Sequence, residues 1–129
     1  MSQGFKYIPI LATVWLTPAL ATDFSQVLKM VDGTPVDDCA HFSIESNKCD
    51  KIVPLTLGRF IAVVLSQPSH MPVADDVLAR RLASKVVDAK EIELTPDEII
   101  RIKTRMSEMT YNPIIKGEAI EAIDPAGTK

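Results

Sequence analysis

The sequence predicts an α+β domain in which an N-terminal β-hairpin precedes a small bundle of about four helices. Three observations carry that expectation. An Asp32-Gly33 turn signal sits between apolar residues near the start. Four later segments place apolar residues at three- and four-residue spacing. Two of those segments open on a capping residue followed by proline, Thr95-Pro96 and Asn112-Pro113. The chain has 129 residues, 47% of them hydrophobic and 24% charged, which suits a single core.

Residues 24–38 read FSQVLKMVDGTPVDD, with Val27, Leu28, Met30 and Val31 before the turn and Val36 after it. Glycine supplies the positive φ that a tight hairpin turn needs. A helix over 24–31, capped by Asp23, is the competing reading. The stretch 39–54 is polar and punctuated by Ser, Asn and Asp. It is expected to be a surface loop or a lengthened hairpin tip.

The run LTLGRFIAVVLSQ, residues 55–67, is expected to be a helix capped by Thr56 and stopped by Pro68. Leu57, Phe60, Ile61, Val64 and Leu65 form its apolar face, with Arg59 opposite. Its β-branched residues also permit a buried strand, but its length favours a helix. After the connector SHMPV, a second helix is expected from Ala74 to Ala89. Leu78, Leu82 and Val86 make its stripe, widened by Ala79 and Ala83. Asp75 and Asp76 lie in its first turn, where the helix dipole favours negative charge. Asp76 and Arg80 are four apart and are expected to pair on the surface for about 0.3 kcal/mol.

Thr95-Pro96-Asp97-Glu98 is the strongest local signal: an N-cap, a proline at the first helical position and the acid that completes a capping box. Ile99, Ile102, Met106 and Met109 are expected to face inward, and Arg101, Lys103 and Arg105 elsewhere. A last helix is expected over Ile114–Ile123, carrying Ile115, Ala119, Ile120 and Ile123. Gly117 weakens it by about 1 kcal/mol relative to alanine. Asp124-Pro125 ends it, and 125–129 read as a flexible tail.

Residues 1–21 read as an address. Lys6 gives a positive start, Tyr7–Ala21 carries no charge, and the segment ends Ala19-Leu20-Ala21, an order typical of a secretory signal peptide. The uncharged run is shorter than the ~20 residues of a membrane span. The competing reading is a non-functional N-terminal extension. The folded domain is then 22–124. A cleaved signal implies a periplasmic or secreted protein, and its absence a cytoplasmic one.

The chain's two cysteines, Cys39 and Cys49, exclude a disulfide-dense scaffold. In an oxidising compartment they form a candidate disulfide worth ~2–3 kcal/mol; in a reducing one they are two thiols. His41 and His70 do not complete the paired spacings that zinc prefers, so no metal and no cofactor are expected.

No catalytic constellation is visible. Asp37-Asp38 belongs to a polar loop and Asp75-Asp76 to a helix start. Ser66, Ser69 and His70 cluster without an acid to orient the histidine. The glycines are isolated, so no phosphate-binding loop is present. The net charge of −3 argues against nucleic acid as a partner. Arg80, Arg81, Lys85, Arg101 and Arg105 form the candidate interaction surface for a protein partner, if the two middle helices are neighbours. The competing reading is a solvated helix face. Met71, Met106 and Met109 read as core or rim residues, or as an exposed partner surface. Self-association is left open.

Four pieces carry a resemblance: DFSQVLKMVDGTPV (23–36), LTLGRFIAVVL (55–65), LARRLASKVVDAKEIELTPDEIIRIK (78–103) and YNPIIKGEAIEAID (111–124). In their order the chain resembles a group of small phage- and prophage-encoded proteins. The resemblance implies a non-enzymatic accessory protein that binds another protein, in virion assembly or host interference, in the host cytoplasm. The apolar extension and the cysteine-containing stretch 39–54 depart from the group's pattern. They favour the alternative of an exported periplasmic protein with a Cys39–Cys49 disulfide, binding a protein or small ligand at the cell envelope.

Overall fold

The structure is a computed structural model that describes residues 21–125. The expected address segment, up to residue 20, and the tail from 126 lie outside the described residues. Four helices and two small antiparallel sheets make an α+β fold. In chain order the elements are β1 (Thr22–Asp23), β2 (Asp37–Ser43), β3 (Lys48–Pro54), α1 (Leu57–Ser66), α2 (Val73–Val86), β4 (Glu91–Ile92), α3 (Pro96–Glu108) and α4 (Pro113–Ile123).

Three helices start where local capping chemistry places them. The Thr56 side chain accepts from the Arg59 amide at α1. Thr95 and Glu98 form a reciprocal capping box at α3. The Asn112 side chain accepts from the Ile114 amide at α4, which begins at Pro113. The orphan donors at the start of α1 are satisfied from elsewhere in the chain. Leu57 N–H donates to Gln26 O and Gly58 N–H to Phe24 O, each at 2.9 Å. Gly58 is required here, because a Cβ would collide with the Val86 carbonyl oxygen where α2 ends.

The core is assembled from the apolar faces of the helices and from the segment that threads past α1. Phe24, Leu28, Leu57, Ile61, Val64, Val86, Ile102 and Met106 are fully buried. α1 packs on both α2 and α3. Phe60 on α1 meets Tyr111 of the α3–α4 connection, ring centroids 5.4 Å apart. β1 pairs with β4 in the register Thr22↔Ile92, closing the N-terminal segment onto the α2–α3 connection; nothing in the sequence pattern announced that two-residue pairing.

The strands differ from the expectation in one respect. Asp32-Gly33 does turn the chain, with Gly33 at φ 87°, and the alternative helix over 24–31 is absent. Its flanks, however, make only isolated bridges, Val27↔Thr56 and Lys29↔Pro35. The regular hairpin is β2–β3, inside the stretch read as a loop or a hairpin tip. Leu28 and Val36 are drawn instead into backbone bonding with Leu55, and so tie the turn to the body.

Two smaller corrections concern α2. It ends at Val86 rather than Ala89. Leu78, expected on its inward stripe, is 43% exposed; Ala79, Leu82, Ala83 and Val86 are the buried set. Leu78 lines the α2–α3 groove instead.

Candidate functional site

Two surfaces stand out: the β2–β3 hairpin and the groove between α2 and α3.

No residue of β2 or β3 is buried. The hairpin forms an arm whose base lies beside α1, where Asp38 and Cys39 line a shallow depression with Arg59, Ala62 and Val63. Cys39 and Cys49 are disulfide-bonded across it, with Cα atoms 5.8 Å apart. Cys39 lies opposite Ile52 and Cys49 opposite Phe42, with irregularities in register between them. Residues opposed in an antiparallel pair share a face. Phe42, the disulfide and Ile52 thus share one face of the arm. Phe42 is 54% and Ile52 64% exposed, and Ile44 stands beyond the end of β2. At the base, Arg59 Nε of α1 donates to Asp38 Oδ2 at 2.7 Å. Half of the Asp37-Asp38 pair is therefore the arm's tether. His41 Nδ1 lies 3.2 Å from Asp50 Oδ2 in an exposed cross-strand contact.

α2 and α3 are neighbours, and Arg81, Lys85, Arg101 and Arg105 line the groove between them, while Arg80 lies beside the end of α1. They do not form a free basic patch. Asp75 Oδ1 accepts from Arg101 Nε at 3.0 Å, and Asp75 Oδ2 from Arg105 Nη2 at 2.7 Å. Arg105 Nη2 also donates to Asp76 Oδ1 at 2.7 Å. Lys85 Nζ donates to both oxygens of Glu98. The expected Asp76–Arg80 pair is not formed, because Asp76 is taken by Arg105 and by the Ser69 hydroxyl. Arg80 and Arg81 are exposed and in no ion pair among the described residues.

Arg105 is the main correction. Expected to point away from the core, it is 4% exposed, the most buried charged residue described. Burial works against its charge, but the Asp75 and Asp76 carboxylates outweigh it and hold its proton more tightly than usual. In turn, the hydrogen bond from Arg105 leads in holding Asp75 below the usual carboxylate range. Burial works to raise Glu98, yet the Thr95 amide and Lys85 pull it below its ordinary value. Its position betrays Arg105: it lies three residues after Ile102 and four before Met109, on their helical stripe.

Between α2 and α3 lies a groove of about 560 Å³. Leu78, Leu82 and Ile100 supply apolar lining, and Arg81, Arg101 and Arg105 supply donors. Ser69 and His70 fall on the α1–α2 connector, and Ser69 Oγ donates to Asp76 Oδ1 at 3.0 Å, which joins it to the ion network. Among the described residues no group of three or more His, Cys, Asp or Glu is placed to hold a metal ion. No described helix is long and apolar enough to cross a membrane. Met106 is buried and Met109 half-buried, while Met71 is 37% exposed at the groove.

Fold and surfaces together define a small α+β domain with a disulfide-stapled arm and an ion-paired helix groove. No family model, no curated protein and no solved structure matches the chain.

Proposed function

We propose that the protein is a non-enzymatic accessory protein of phage or prophage origin that acts by binding another protein, and that the β2–β3 arm makes the contact. The observation that carries this reading is the exposure of Phe42 and Ile52 on either side of the half-buried disulfide, on an element with no buried residue. A two-stranded hairpin is marginal in water by itself. The disulfide holds this one in shape without a core beneath it, which lowers the ordering entropy lost on binding. Exposed aromatic and aliphatic side chains on such a frame are the usual anchors of a protein interface. Of the two carboxylate pairs, Asp38 is tied to Arg59, and Asp75 and Asp76 to arginines of α3.

The test is capture from lysogenic or phage-infected cells with the wild-type chain, the double variant Phe42→Ser/Ile52→Ser, and Val31→Ser as an exposed control outside the arm. A partner retained by wild type and control but lost by the arm variant supports the reading. Equal capture by all three removes the arm from it.

The Cys39–Cys49 bond favours the exported setting for this binding, since disulfides persist mainly in oxidising compartments. Intact mass after expression with the native start decides it. Loss of residues 1–21 together with a mass lighter by two hydrogens supports export at the envelope. An unprocessed chain with free thiols returns the protein to the cytoplasm.

A further inference from the structure

We infer that the α2–α3 groove is a binding site for a small apolar carboxylate, separate from the arm. The argument rests on an imbalance of donors and acceptors beside an apolar lining. Each oxygen of Asp75 already faces a guanidinium. A guanidinium carries five N–H donors. Arg105 directs only Nη2 at protein acceptors, Arg101 only Nε, and Arg81 has no carboxylate within ion-pair distance among the described residues. The Nε of Arg105 is buried and has no hydrogen-bond partner among the described residues. A buried donor without an acceptor is unfavourable by about 1–3 kcal/mol. Arg81 and Arg101 thus offer the groove N–H donors that no acceptor among the described residues takes, and Arg105 lines it beside them.

The arrangement along the groove sets the ligand's polarity. α2 and α3 run antiparallel there: Asp75 meets Arg101 and Arg105, whereas Lys85, ten residues on, meets Glu98. Asp97 and Glu98 lie about 10–12 Å from Arg105 along α3. At the other end Asp75 and Asp76 offset Arg101 and Arg105, and Arg81, in no ion pair among the described residues, adds a positive charge, whereas Lys85 shares its end with both Asp97 and Glu98; an anionic head is therefore favoured on the arginine side. From that end the apolar side chains of Leu78, Leu82 and Ile100 line the space, with Met71 also at the rim. Leu78 and Ile100 are 43% and 62% exposed, so an apolar body laid over them gains burial. The volume of about 560 Å³ falls in the range of small-ligand sites. A carboxylate on an aliphatic or aryl body meets all of these features at once.

The test is an NMR titration of the full disulfide-bonded chain with sodium octanoate, with octanol at matched concentrations as the uncharged control. Saturable shifts at the methyl groups of Leu78, Leu82 and Ile100, with octanol at least about tenfold weaker, are expected from a charge-assisted contact. Arg101→Gln should weaken octanoate about tenfold and leave octanol unchanged. Arg81→Gln, at an exposed position that keeps the network intact, guards against misfolding and should weaken octanoate by a smaller factor. Equal binding of octanoate and octanol, or shifts scattered away from the groove, overturns the assignment. So does binding of a peptide ending in Leu-Leu with a free C-terminus, but not its amide, when octanoate itself does not bind; that result makes the groove a dock for a chain end. The arm variant Phe42→Ser/Ile52→Ser should bind octanoate normally, which keeps this test distinct from that of protein capture.

Discussion

Arg105 and Asp75 stand thirty residues apart in sequence and 2.7 Å apart in space, one buried on α3 and the other in the first turn of α2. The pair fixes the α2 start against α3, and Asp75 serves Arg101 at the same time. Removing Arg105 leaves Asp75 short of its closest partner and opens a space beside Met106. Arg105→Ala should destabilise the fold by about 3 kcal/mol, the scale for breaking a buried pair from one side. Asp76→Ala should lower stability by less than about 1 kcal/mol, because the Asp76 side chain is 48% exposed against 16% for Asp75. Urea titrations of the two variants check the ranking; equal losses would refute it.

Stability should fall with acid through the same network. Asp75 and Glu98 both sit below their ordinary values of 3.8 and 4.5. A carboxyl depressed in the folded state contributes its full stability above its unfolded value. That contribution is lost as pH falls through the folded value. The midpoint in urea should therefore hold steady near neutrality and drop progressively below about pH 4–5. Asp75→Asn should lower stability at neutral pH and flatten the acid limb. An unchanged acid slope in that variant would place the pH dependence elsewhere.

Reduction of Cys39–Cys49 should act locally. A cross-link of this loop length is worth ~2–3 kcal/mol when the bridged segment stays ordered in the folded state. Here the bridged arm has no buried residue, so it can fray without opening the core. In Cys39→Ser/Cys49→Ser, amide exchange over 38–53 should rise by an order of magnitude or more, while the global unfolding free energy from urea titration falls by less than the full chain-entropy value. Cooperative unfolding of the whole domain on reduction would contradict the arm's independence.

Gly58→Ala should be among the most damaging single-methyl additions. The new Cβ meets the Val86 carbonyl oxygen, a backbone atom that cannot rotate away. Overpacking of this kind is unfavourable by about 1–3 kcal/mol or more. Gly117→Ala is the matched control: nothing lies within 4 Å of its Cβ position, and helix propensity favours alanine by about 1 kcal/mol. Opposite signs for the two variants in thermal unfolding are the expected result.

Thr95→Ala should lower stability by about 1 kcal/mol, since both halves of the capping box depend on it. Its Tm is the measurement, and no change would mean that α3 is held by packing alone.

What was legible in the sequence was whatever chemistry acts over a few residues. Thr56, Thr95 and Asn112 each announce a helix through a side chain that bonds an amide two or three residues on. The Asp32-Gly33 turn is visible for the same reason. The β2–β3 ladder was not, because period-two alternation arises when one face of a strand is buried, and neither face of this arm is. Arg105 was misread because charge outweighed its place on the Ile102–Met109 stripe; its compensation comes from Asp75 and Asp76 on another helix. Leu78 failed in the opposite sense. Its helix buries Ala79, Leu82, Ala83 and Val86 and leaves Leu78 at the groove. On the candidate surface, Arg101 and Arg105 pair with acids of α2 and Lys85 with Glu98 of α3, and pairs between two helices that far apart in sequence are invisible to spacing.

The arm's lack of buried side chains bears on how such a protein diverges. A substitution at Phe42, Ile44 or Ile52 removes no contact from the core, so natural selection can rewrite the arm while the body stays under its own constraints. Arg59 and Asp38 mark the seam between the two. Among kindred sequences the arm should drift fastest and vary most in length, and a new arm grafted at that seam should give the old body a new target.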